Sequence, residues 1–312
     1  MRQELNVGLF ALATLGLASS CVRRECTPEE RDAAGLGPNE DCRRFVSTRT
    51  FEAARSQIIE VDWSPGTDIN VDGAVGEIVV ESGDEGVVEF AFTGQVDLAS
   101  DRSDEVVERT LSLLELGVTD RDGVIGVEVG RGQSQAALGA RLVLRLPRNF
   151  DAALSLRQSR SDVPGDIVVE ELYDTAELVV RAGGAFNEVV VVDPGRLETA
   201  QINGDDDIRT GPFGSRALFA VVLNSTRGDI QTGFVRAPAM NARIFAAGAV
   251  DMILDDRIDG VLQIDALRDE VNQLPVACSA RNSLALPTWV CGDGSDYVSF
   301  DVRGEQVTVD FR

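Results

Sequence analysis

Between about Phe51 and Pro147 the chain alternates apolar and polar residues in short runs, QIIEVDW, TDINVDG, GEIVVES, VVEFAF, GVIGVEV and ARLVLRLP, each bounded by Gly, Asp or Pro. A period of two puts every second side chain on one face, so these runs predict half-buried strands. The segment SDEVVERTLSLLELG follows a helical period instead. Val106, Val107, Thr110, Leu111, Leu113 and Leu114 share a stripe, with Ser103 placed to cap it and Gly117 to stop it. Residues 103–116 are therefore expected as one short amphipathic helix on an N-terminal β layer spanning 51–148.

From 149 to 266 the pattern repeats. GDIVVE at 165, NEVVVVD at 187, DDIRTG at 206, GDIQTG at 228 and GAVDMIL at 248 recur at intervals of roughly twenty residues, with LSLRQS, LVVRAG, ETAQING, FAVVLNS and ARIFAAG between them. Two strands and a small-residue turn per period predict an all-β fold of the β-solenoid or β-helix-like kind, in which each rung buries its inward face only against its neighbours. The alternative is an antiparallel β-sandwich, whose strands come at similar spacing. A stack needs closed ends, so residues 267–312, with two cysteines and two final strands, are expected as a C-terminal cap.

The first residues change the picture from fold to compartment. Arg2 precedes an uncharged apolar run from about Val7 to Ala18, too short for a permanent bilayer span and of signal-peptide proportions. Ala18, Ser19 and Ser20 then lead to Cys21, which resembles a bacterial lipobox in which the cysteine becomes the lipidated N-terminus. Leu17 stands one place earlier than the usual leucine, and plain secretion with cleavage at the same small residues is the alternative. Residues 1–20 are thus read as a signal peptide and 21–50 as a lipidated tether. Val22 is not the Asp that retains lipoproteins in the inner membrane, so the expected location is the outer membrane.

Cysteine arithmetic fits this reading. Five cysteines leave one odd thiol in a secreted protein, and lipidation of Cys21 removes it. Of the three connectivities open to the other four, the local one is simplest: Cys26 with Cys42, and Cys278 with Cys291. Each would close a loop of about fifteen residues, contributing on the order of 3 kcal/mol.

Charge and composition exclude more than they assign. A net charge of -23 argues against a nucleic-acid partner, since such binding depends on clustered basic residues. The chain has no His and no Lys; all 29 basic residues are Arg. Ser-His-Asp, Cys-His and Ser-Lys nucleophile sets are therefore excluded. The acidic run Asn203–Asp207 is the strongest enzyme candidate, because paired carboxylates can cleave polysaccharides. Polysaccharide-cleaving β-helices of the polygalacturonase type also use His and Lys, which are missing. Asp205, Asp206 and Asp207, or Asp293 and Asp296, could offer oxygens to Ca²⁺, but neither run has an EF-hand loop and solvated turns account for them more simply. No cofactor is expected.

The stretch ARLVLRLPRNFDAALSLRQSRSDVPGDIVVE, followed by GDDDIRTG and TRGDIQTG, resembles a bacterial family of adhesin-like, β-strand-repeat envelope proteins, similar to the head domains of GIN-type adhesins. The strand ending at Leu146-Pro147 and the turns Gly165-Asp166-Ile167 and Gly228-Asp229-Ile230 carry the likeness, which covers about residues 55–312. It implies a right-handed β-solenoid at the envelope with no known active site. Arg227-Gly228-Asp229 is the tripeptide read by integrins, but Asp205-Asp206-Asp207 and Pro164-Gly165-Asp166 occupy equivalent places. It reads as a recurring turn, with Gly supplying positive φ and Asp bonding its own backbone. The expected function is a non-catalytic structural or interaction module, held to a membrane by its lipid and meeting an envelope protein or glycan. The alternative is a polysaccharide-binding or polysaccharide-cleaving β-helix protein.

Overall fold

The computed structural model describes residues 7–8, 16–25, 43–74, 76–99, 116–129, 138–158, 165–172, 174–183, 187–195, 197–214, 219–235, 239–281, 286–293 and 298–312. Among them every regular element is a strand, and no helix is long and apolar enough to cross a membrane. The helix expected over 103–116 lies outside the described residues up to Leu116, which opens the strand Leu116–Arg121.

The repeats pair in parallel, each strand with its counterpart about one repeat later. In the first ladder Ala153–Gln158 pairs with Glu177–Arg181, then Thr199–Gly204, Phe219–Ser225 and Met240–Ala246 follow in turn. In the second, Ile167–Glu171 is followed by Val189–Asp193, Ile208–Phe213, Ile230–Phe234 and Ala249–Leu254. The chain thus alternates between two ladders and advances one strand spacing per coil, whereas neighbouring strands of the sandwich alternative would pair antiparallel.

Alternation in the sequence becomes columns in the core. Leu142, Ile78, Ile167, Val189, Ile208, Ile230, Val250 and Val307 are consecutive register partners, and all are buried. The first ladder supplies a facing column through Ile69, Leu154, Leu178, Ala200, Val221, Ala242, Phe300 and Leu262. Each fully buried aliphatic side chain contributes roughly 1.5–3 kcal/mol. No rung could secure that alone, since its inward face is covered only by its neighbours and the opposite ladder.

The ladders continue past the boundaries expected from the sequence. Asp68–Ala74 and Glu77–Gly83 pair in parallel with the first repeat strands, and Val124–Val129 and Leu138–Pro147 pair beyond them. The strands on either side of residue 148 therefore belong to the same two stacks. The last strand, Val298–Phe311, runs through both ladders and lies parallel between Met240–Leu254 on one side and Gly260–Asn272 on the other. That second strand crosses the expected 266/267 boundary without a break.

Antiparallel pairs close the ends. Val87–Ala99 covers Leu138–Pro147 and is itself covered by Arg43–Asp62, while Arg145 bridges Glu81 at 2.6 Å and Glu89 across these layers. Gly16–Glu25 pairs with Arg43–Glu52, placing the backbone of Cys21 opposite Ser47. At the far end the hairpin of Cys278–Arg281 and Thr288–Cys291 pairs with Gly260–Gln263. Cys278 and Cys291 face each other across it and are joined, with Cα atoms 3.9 Å apart. Cys26 and Cys42 lie outside the described residues.

Candidate functional site

Two features of the stack could carry chemistry: an acidic corner where the chain turns from the first ladder into the second, and a groove on the outer face of the second ladder. At the corner, Asp166, Glu188, Asp207 and Asp229 fall in one row, immediately before the register partners Ile167, Val189, Ile208 and Ile230. The Asp carboxylates reach the backbone of the following coil. Asp166 Oδ1 accepts the N–H of Glu188 at 2.9 Å, Asp207 Oδ1 that of Asp229 at 2.9 Å, and Asp229 Oδ1 that of Ala249 at 2.7 Å. Each Asp therefore ties its coil to the next.

The glycines of these turns also differ from expectation. Gly165 and Gly228 do not have positive φ. They are required by close approach instead: a Cβ on Gly228 would lie 2.5 Å from the carbonyl carbon of Asp206, and one on Gly165 2.1 Å from that of Gly76. At these two positions the stacked turn leaves no room for a side chain, whereas Asn187 and Asp206 hold the corresponding place in the coils between them.

Glu188 interrupts the Asp row. Its longer side chain turns to Arg209, whose Nε lies 2.9 Å from Oε1 without hydrogen-bonding geometry. Burial pushes the Glu188 carboxyl above the usual range; Arg209 opposes this, and Asp166, Asp207 and Asp206 add to it. Behind the row, buried polar groups satisfy one another. Asn187 Oδ1 accepts the N–H of Gly165, its Nδ2 donates to Gln158 Oε1 and the Gly183 carbonyl, and Ser225 Oγ donates to the Asp206 carbonyl.

This geometry decides what the acidic run can do. Asp205 Oδ1 accepts from Thr226 Oγ1, Asp206 presents its carbonyl to Ser225, and Asp207 is engaged with the next coil. These acids act as acceptors for the stack. Among the described residues no group of three His, Cys, Asp or Glu is arranged to hold a metal ion. Asp293 sits in the turn after Cys291, and Asp296 lies outside the described residues. Arg227-Gly228-Asp229 is the same turn one coil on, with the Gly228 N–H bonded to Ser225 Oγ.

The groove arises from the outward positions of four strands and has a volume of about 730 Å³. Gln231, Asp251 and Thr308 are successive register partners and form one rim. Gly233, Ile253 and Asp310 form the next row, with Arg312 beyond them. Val235 and Ile253 are 41% and 42% exposed and form apolar walls. Asp255 is held by Arg257, which approaches it to 2.8 Å, while Arg312 lies 3.9 Å from Asp310. Sequence reasoning missed this site because its residues are spread from Thr210 to Arg312. The available signal was a glycine and two large aliphatics at outward parity in consecutive repeats.

No known protein-family profile and no curated protein matches the chain. The solved structures it resembles include a "putative cell adhesion protein" from Clostridium sporogenes, 9% identical, covering 83% of this chain and 100% of that one at a TM-score of 0.33. A "putative adhesin" from Bacteroides fragilis is 9% identical, covering 83% and 97%, with a TM-score of 0.39. Another "putative adhesin", from Parabacteroides distasonis, is 9% identical, covering 82% and 97%, with a TM-score of 0.37. At such identities and superposition scores the likeness lends no weight to a particular function.

Proposed function

We propose that the protein is a lipid-anchored, non-catalytic module of the bacterial cell envelope, an adhesin-like right-handed β-solenoid that holds a recognition surface away from the membrane. The observation that carries this reading is the groove over Gly233, built on strands that are hydrogen-bonded on both sides and backed by an unbroken buried core. Such a surface is rigid before it meets a partner, which lowers the ordering cost of binding. The acids of the corner serve the stack, which favours binding over hydrolysis.

Cys21 is the anchoring residue in this proposal, and several acyl chains give stable attachment where one gives only marginal binding. Cleavage ahead of Cys21 would leave Cys21–Glu25 in register with Arg43–Ser47, so the lipid would sit at the end of a paired strand next to the stack. Val22 favours the outer membrane. Detergent-phase partition of cells making the wild type or Cys21→Ser tests the anchor. The wild type is expected in the detergent phase and the variant in the aqueous phase; a variant that partitions like the wild type would refute the anchor.

A further inference from the structure

We propose that the groove over Gly233 binds a short segment of neutral glycan. This deepens the reading of the protein as a recognition module and rests on it. The first observation concerns the floor. A Cβ on Gly233 would meet nothing closer than 3.5 Å, and its φ is not positive, so neither packing nor backbone conformation requires glycine there. Pro212 is its register partner one coil earlier, after a bulge in the strand, and stands in ordinary contact with that position at 3.5 Å. Gly233 is itself buried between Pro212 and Ile253, and a side chain there would rise from the floor into the groove.

The surroundings select the ligand class. A groove of about 730 Å³ is of small-molecule size. Val235 and Ile253 offer an apolar wall suited to the C–H face of a sugar ring. The rim mixes hydrogen-bonding types: Asp251 and Asp310 accept, Arg312 donates, and Gln231 and Thr308 do both. An anionic ligand would meet three carboxylates, Asp251, Asp255 and Asp310, on a chain of net charge -23, and a cationic one would compete with Arg257 and Arg312 for Asp255 and Asp310. Sugar hydroxyls each donate and accept, so a neutral polyol can satisfy the whole rim.

An extended peptide fits less well. Peptides commonly add to a sheet through an open edge, yet Ile230–Phe234 and Ala249–Leu254 are each paired on both sides. Their main-chain groups are already used, so a ligand here must bring its own donors and acceptors.

The test applies the full-length protein to a panel of neutral gluco-, galacto-, manno- and N-acetylhexosamine oligomers, with uronic-acid oligomers, sulfated oligomers and a peptide library alongside. Retention on one or more neutral oligomers is expected. Gly233→Phe should abolish it, and Asp251→Ala, at the exposed rim, should weaken it about tenfold without moving the thermal unfolding midpoint. Gly233→Ala reports whether the position tolerates a side chain, and Asp251→Ala keeps the site testable if the Phe variant fails to fold. Neutral-glycan binding that survives both Gly233→Phe and Asp251→Ala would overturn the site while leaving the recognition reading in place. Binding confined to charged oligomers or peptides, or to none of these probes, would overturn the ligand class. The Cys21→Ser partition is independent of all these outcomes.

Discussion

The carboxylate of Asp207 accepts the backbone N–H of Asp229, the residue that occupies its own place one coil later, at 2.9 Å. Asp229 repeats the contact with Ala249 at 2.7 Å. The backbone bonding of the parallel ladders extends into this turn, where the N–H of Val189 donates to the Asp207 carbonyl and that of Ile208 to the Asp229 carbonyl. The Asp row adds charge-assisted hydrogen bonds running along the stack.

Removing that contact should cost stability without disturbing the core. Asp207→Ala is expected to lower the free energy of unfolding by about 1–2 kcal/mol in urea titration, and Asp207→Asn, which keeps an acceptor, by less. Equal and negligible effects would mean that the turn contact is not a stabilising one.

The turn glycines give a sharper contrast. Gly228→Ala forces a Cβ against the backbone of Asp206 and Asp207 and should destabilise by about 2 kcal/mol or more. Gly233→Ala meets only ordinary contacts and should be close to neutral. Thermal unfolding of the two variants compares an obligatory glycine with a permissive one.

Much of this architecture was legible in the sequence. Alternation set the inward columns, and the repeated Asp-Ile-x-Thr-Gly turns set the coil length, because both are local patterns that the stack requires. The reason for the turn glycines was misread, since a glycine needed for close approach looks the same in sequence as one needed for positive φ. The place of the last strand was not legible either. VSFDV and VTVDF in Val298–Phe311 announce a strand, but a parallel strand inserted between two rungs that follow one another in the chain carries no local mark of its neighbours. The groove was hidden for the same reason, since Gln231, Asp251 and Thr308 become a row only through that insertion.

Glu188 should make stability depend on pH in a defined direction. Its folded-state pKa is raised, chiefly by burial, so the folded protein holds that proton to higher pH than the unfolded chain does. The contribution is full below the ordinary carboxylate range and is lost as pH rises through the raised folded value. Glu188→Gln removes this term, so the stability difference between variant and wild type should shift in the variant's favour as pH rises across that window. A difference that stays flat, or shifts the other way, would contradict the assignment.

The Cys278–Cys291 bond closes a short loop at the exposed end of the stack, where its hairpin covers the edge of Gly260–Gln263. Replacing both cysteines with Ser should cost about 3 kcal/mol through the freedom gained by the unfolded chain. Denaturant titration of the double variant, with and without reductant, checks this. Reductant should then leave the variant's midpoint unchanged.

The most direct test of the coil, and of the groove it builds, is an engineered cross-link at the inserted strand. Asp251 is the register partner of Thr308, and Thr308 in turn of Glu270, so Asp251 and Glu270 stand two strand spacings apart, about 10 Å. Stacking in simple chain order would instead bring Asp251 beside Glu270. Mild oxidation of Asp251→Cys/Thr308→Cys should form a disulfide within one chain, identified by peptide mapping, and Asp251→Cys/Glu270→Cys should not, because that span exceeds the reach of a disulfide. A link between 251 and 270 with none between 251 and 308 would contradict both the inserted strand and the groove.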